Sequence, residues 1–172
     1  MSLTRILLIV VTFWSSITIF QERSVDTDNA EITFVFKEKD VDGSIGEVRS
    51  ESSIDMEDFT QSTLKGSVSL ESLKTGNFLR DWHLMSKKFF HRSKQDRLYF
   101  SSTSITKNNE DYTIEGNLDI KGISKPVKFK GKLKNGKLVI SGEINVADWD
   151  IVIEKETSKN MVEISMTLPI TA

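Results

Sequence analysis

The sequence predicts an all-β domain of eight antiparallel strands. From Ala30 onward apolar residues recur at every second position, and the connections between these runs are short and rich in turn formers. The 172 residues are enough for one domain with a sizeable core and too few for two ordinary ones.

Taken in order, the runs are easily marked. "EITFVFK" puts Ile32, Phe34 and Phe36 on one face, and a weaker strand is expected around Gly43 to Ile54. "LKGSVSLESL" groups Leu64, Val68 and Leu70, and "RLYFSS" groups Leu98 with Phe100. "YTIEGNLDI" alternates Tyr112, Ile114, Gly116, Leu118 and Ile120 with polar residues; "PVKFKGKLK" does the same with Val127, Phe129, Gly131 and Leu133. Leu138, Ile140, Gly142, Ile144 and Val146 form the next run, and Val162, Ile164, Met166, Leu168 and Ile170 the last. Each reads as a strand with one apolar and one wet face.

The joints are Asn108-Asn109-Glu110-Asp111, Gly122-Ile123-Ser124 and Asn135-Gly136, the last the strongest two-residue hairpin signal in the chain. Eight such strands pair as a sandwich or close as a barrel; closure removes exposed edges and leaves room for about one small ligand. Gly116, Gly131 and Gly142 fall on apolar faces, where they would relieve crowding at bends of a closed sheet or serve as ordinary strand glycines. Lys128, Lys130, Lys132 and Lys134 alternate with apolar residues and read as a solvated outer face, so with a net charge of −2 no nucleic-acid partner is expected.

One segment interrupts the strands. In "LKTGNFLRDWHLMSKKFF", Thr75-Gly76 is a turn, Asn77 an N-cap, and Phe78, Trp82, Met85 and Phe89 recur at helical spacing. A short helical insertion over residues 77–90 is therefore expected, its apolar stripe packed on the sheet. It also gathers Arg80, Asp81 and His83. Asp81 and His83 lie two apart and face different sides of a helix, so they cannot form a base with its orienting carboxylate. The two histidines, His83 and His91, would stand about 12 Å apart on one helix, too far to share a metal ion. With no cysteine and no Gly-x-Ser-x-Gly elbow, neither a catalytic nor a metal site is expected. Arg80, Asp81 and His83 are expected to anchor the insertion by hydrogen bonds.

Before the strands, Arg5 precedes the uncharged run Ile6–Phe20, which has signal-peptide length and is short for a membrane span. Residues 1–21 are expected to be a signal peptide, or an anchor if uncleaved, since Ala-x-Ala is missing and Ser16-Ile17-Thr18 and the region of Gln21 are the nearest alternatives. The remaining domain, 22–172, is expected to be periplasmic or secreted.

The order of motifs from Ser69 to Leu133 resembles the YceI-like family. The matching residues are Thr75-Gly76, Arg80-Asp81-Trp82-His83-Leu84, Phe89-Phe90, Phe100-Ser101-Ser102 and the hairpin from Gly116 through Val127. The resemblance implies an eight-stranded antiparallel barrel of lipocalin type that is exported, is not an enzyme, and holds a polyisoprenoid in its interior. Two departures stand outside the matched half: "NAEITFVF" replaces the family's His-Ser pair, and Ala147-Asp148-Trp149-Asp150-Ile151 replaces its late Arg-containing segment. The residues expected to contact the lipid are Phe34, Phe36, Leu79, Trp82, Phe89, Phe90, Phe100, Ile114, Phe129 and Ile140. No cofactor is expected besides a bound isoprenoid lipid. Peripheral contact with a membrane and a monomeric or homodimeric state complete the expectation. The alternative is an envelope or stress-related interaction module of the same fold with a filled core.

Overall fold

The computed structural model describes residues 22–171, so the expected leader lies outside the described residues. The strands are β1 (Glu31–Phe36), β2 (Val41–Ser44), β3 (Arg49–Ser50), β4 (Lys65–Ser69), β5 (Arg97–Asn108), β6 (Asp111–Ile120), β7 (Ile123–Lys134), β8 (Lys137–Asn145) and β9 (Met161–Pro169). A single α-helix among the described residues, α1 (Phe78–Leu84), lies between β4 and β5. All nine strands join one antiparallel sheet in the order β2-β1-β9-β8-β7-β6-β5-β4-β3, curled into a lipocalin-like half-barrel.

The count is nine rather than eight because the weak run from Gly43 to Ile54 does not stay in one ladder. Its start, β2, pairs only with β1, and β3 pairs only with β4, so the run joins the two opposite edges of the sheet. Residues 45–48 make the crossing, with Glu47 in the left-handed region at φ 49°. Other bonds span the same gap. Ser44 and Lys74 exchange backbone hydrogen bonds of 2.9 Å each way, and the Ser69 amide donates to the Gly46 carbonyl at 3.1 Å.

From β5 to β9 the chain is a simple meander with three tight turns. Asn109, Lys121-Gly122 and Asn135-Gly136 all take positive φ there, the twist that two-residue hairpins require. The register shifts between Ser102 and Ser104 of β5, a bulge the alternation does not announce. It exchanges the faces of the strand: Leu98 and Phe100 point inward before it, Ile105 after it, and Ile105 is buried as a result. On the outer face Lys128 pairs with Glu115 at 2.7 Å and Lys132 with Asp111 at 3.3 Å, so these lysines serve as a wet strand surface.

One part of the interior is packed. A 3-10 turn, Phe59–Gln61, drops Phe59 against Tyr112 edge-to-face at 4.8 Å, beside Ile54, Ile105 and Leu138. The segment 146–151 buries Trp149, whose Nε1 donates to the Leu118 carbonyl at 3.1 Å, and Ile151. Buried Asn160 holds the following loop together: its Oδ1 accepts from the amides of Ile153 and Glu154, and its Nδ2 donates to the carbonyls of Glu154, Glu156 and Thr157.

Candidate functional site: an apolar cavity

Between the packed region and α1 the sheet encloses a cavity of about 440 Å³. Its walls come from most of the sheet. Phe34 and Phe36 project from β1, Phe100 from β5, Ile114 from β6, Phe129 from β7, Ile140 from β8, and Ile164 and Met166 from β9. Period-two alternation delivers these side chains to one face, and curvature turns that face upon itself.

Glycines determine how the rings lie. A Cβ on Gly116 would stand 2.6 Å and 2.7 Å from two ring carbons of Phe100, and a Cβ on Gly131 would stand 2.6 Å from Ile114 Cδ1. Gly142 likewise leaves space for Phe129, and Gly43 for Phe34. Phe34, Phe100, Ile114 and Phe129 therefore each lie over a missing side chain on the neighbouring strand. Phe100 and Phe129 then meet edge-to-face at 5.9 Å.

Phe89 and Phe90 also line the cavity, so eight of the ten expected contacts do; Leu79 and Trp82 do not. Those two are 73% and 70% exposed and point outward. The helix is shorter than expected, ending at Leu84, and it is rotated relative to the apolar stripe. The cause is a polar anchor. Thr75, itself buried, donates its amide (2.9 Å) and hydroxyl to Asp81 Oδ1; its hydroxyl oxygen accepts from Arg80 Nε at 2.7 Å, and its carbonyl from Arg80 Nη2. With Asn77 capping the Arg80 amide, this clasp turns Arg80, His83 and Leu84 to the cavity and leaves Phe78, Leu79 and Trp82 on the far side.

Arg80 and Asp81 thus act through Thr75. His83 departs from its expected hydrogen-bonding role: its ring is stacked edge-on against Phe89, 5.0 Å between centroids, at the cavity margin. Arg97 is an anchor that the sequence reading missed. It is buried and donates to Ser67 Oγ (2.9 Å), the Ser67 carbonyl (3.1 Å) and the Glu47 carbonyl (2.6 Å), pinning the edge-crossing segment to β4. Nothing local distinguishes this arginine from a surface one, because its acceptors lie 30 and 50 positions away.

The charged side chains at the cavity margin are Lys39, Arg49, Lys65 and Arg80, and no carboxylate is among the lining residues. The carboxylates with displaced proton affinity lie on the outside. Glu115 is lowered by the Lys128 and Ser104 hydrogen bonds, and Asp58 by those from Thr60. Among the described residues no group of three His, Asp or Glu side chains is placed to hold a metal ion. The cavity wall is equipped to bury an apolar molecule.

The family model for the YceI-like domain matches residues 24–172. A UPF0312 protein of Yersinia enterocolitica is 30% identical over 111 residues, covering 59% of this chain and 58% of the relative, and one of Pectobacterium carotovorum is 41% identical over 66 residues, covering 38% and 34%. The matches thus span little more than half of these relatives at most. Among solved structures, Burkholderia cenocepacia BcnA superposes with a TM-score of 0.75 at 18% identity, over 86% of this chain and 99% of its own. A polyisoprenoid binding domain from Saccharophagus degradans superposes with a TM-score of 0.61 at 16% identity, over 87% and 98%. These two show a shared fold.

Proposed function

The chain belongs to the YceI-like family, and we propose that it is an exported, non-enzymatic binding protein that sequesters or carries a polyisoprenoid or isoprenoid-quinone lipid inside the half-barrel. The observation that carries this reading is the cavity itself: about 440 Å³ walled by Phe34, Phe100, Ile114, Phe129, Ile140 and Met166. An interaction module with a filled core would have no use for glycines that make room for aromatic rings around a cavity. A lipid chain would. Burial of each CH2 contributes about 0.8 kcal/mol, so apolar walls alone can retain an isoprenoid, less the cost of ordering a flexible chain. The polyisoprenoid binding by the Saccharophagus domain of the same fold supports the same assignment. Export rests on the composition of residues 1–21.

Phe100 provides the test, because it lines the cavity on its seat at Gly116 while Lys130 on β7 faces solvent. Phe100→Asp would set a carboxylate against the lipid chain, and desolvating it costs several kcal/mol unless it takes up a proton. Lys130→Asp leaves its charge in water. Mass spectrometry of organic extracts from folded native and Lys130→Asp proteins should find an isoprenoid, with a strong reduction for Phe100→Asp. Native protein purified without detergent that yields no lipid, and takes up no added isoprenoid, would overturn the carrier reading in favour of the filled module.

A further inference from the structure

The outward face of α1 has no role in the cavity, yet it carries the most exposed large apolar side chains among the described residues. Phe78, Leu79 and Trp82 are 80%, 73% and 70% exposed and sit within a turn and a half of one another. Three such side chains grouped on one short helix constitute an apolar patch, not scattered surface apolarity. Their setting is cationic. Between Leu73 and Gln95 the chain carries Lys74, Arg80, Lys87, Lys88, Arg92 and Lys94 and one carboxylate, Asp81, although the whole chain has net charge −2. Arg92 pairs with Glu71 at 2.9 Å and Arg80 turns to Thr75, which leaves the four lysines. Asp81 is turned inward onto Thr75, whereas Lys74, Lys87 and Lys88 are exposed.

We propose that α1 is a membrane-docking element that seats the protein on an anionic lipid bilayer, with Phe78, Leu79 and Trp82 in the interface and the lysines against the headgroups. Aromatic and aliphatic side chains backed by lysine are the chemistry an anionic lipid surface attracts. A seven-residue helix cannot span a bilayer, so it lies in the interface. The opposite face of the same helix, through Arg80, His83 and Leu84, lines the cavity. Docking there would bring the cavity to the membrane surface, giving a lipid a short path between bilayer and half-barrel. That path rests on the carrier reading; the docking does not.

The test is flotation of residues 22–172 with vesicles of phosphatidylcholine alone and of phosphatidylcholine with phosphatidylglycerol, both free of isoprenoid. The native domain should float with the anionic vesicles. Phe78→Ser/Leu79→Ser/Trp82→Ser removes only outward side chains and should abolish flotation while keeping the unfolding midpoint. Lys87→Glu/Lys88→Glu should weaken partitioning by about twenty-five-fold or more, since each lysine near an anionic surface is worth about fivefold. Quenching of Trp82 fluorescence by brominated lipid, lost in Trp82→Ser, would place the helix in the interface. Phe100→Asp should float like native protein, which separates docking from cargo binding. Absence of flotation from protein that still takes up isoprenoid would refute the docking and leave the carrier reading intact. Burial of Trp82 only through concentration-dependent dimerisation, abolished by the triple variant, would also overturn it and assign the patch to a second copy.

Discussion

The glycine seats can be tested by filling them. Gly116→Ala adds a Cβ that would stand 2.6 Å and 2.7 Å from the Phe100 ring and 2.5 Å from the Ser101 carbonyl oxygen, where a normal contact needs at least 3.4 Å. The ring can swing away, but the carbonyl belongs to the β5–β6 ladder, so backbone must shift too. Overpacking of this kind costs about 1–3 kcal/mol. Alanine recovers about 0.5–1 kcal/mol because it constrains the unfolded chain more than glycine does. The net loss should be about 1–2 kcal/mol. Gly131→Ala is the control, because its close neighbour is only the Ile114 Cδ1 methyl, with Leu138 Cδ1 at 3.7 Å and no backbone atom among its nearest contacts. Rotation of one methyl relieves that contact, so the two contributions should cancel to within about 1 kcal/mol. Urea unfolding of the three proteins measures the difference, and isoprenoid uptake measures its consequence. Phe100 displaced into the cavity should lower uptake by Gly116→Ala more than by Gly131→Ala. Native-like stability and native-like uptake of Gly116→Ala would refute the idea that this glycine seats the Phe100 ring in the cavity wall.

Arg97→Met should lower stability by about 2–4 kcal/mol, because the Glu47 and Ser67 carbonyls lose a charged donor while the buried volume is retained; hydrogen exchange of residues 45–50 should accelerate, and an unchanged midpoint would show that the crossing does not depend on it. His83→Ala should cost only about 0.5–1.5 kcal/mol, the worth of an aromatic pair, and leave isoprenoid uptake in place; complete loss of uptake from a folded variant would make His83 a lipid contact. Under the proposed export, N-terminal sequencing of the processed protein should find its first residue at or before Arg23, since Arg23 pairs with Ile54 and Val25 is buried; a start beyond Val25, or Met1 on protein held in the membrane fraction, would overturn this.

Alternation by itself determined the strands of the meander and the faces they turn inward, because in an extended chain the direction of a side chain follows from its parity alone. Phe34, Phe129 and Ile140 could therefore be assigned to the interior from their neighbours in sequence. Features that depend on a distant partner could not. The β5 bulge reverses that parity in mid-strand, and the split of the Gly43–Ile54 run depends on two sheet edges brought together by closure. The face α1 presents is a third case: its clasp partner, Thr75, is only five or six positions away, but the burial that makes Thr75 compelling comes from the rest of the fold. The apolar stripe of α1 argues for burying Phe78 and Trp82, but the clasp of Arg80 and Asp81 on buried Thr75 holds the helix the other way round. An apolar stripe can be left in water at only the ordinary cost of exposed surface, whereas turning Arg80 and Asp81 away would strand the amide, hydroxyl and carbonyl of buried Thr75 without partners. Tertiary structure decided that orientation because the polar bonds are directional and the hydrophobic preference is not.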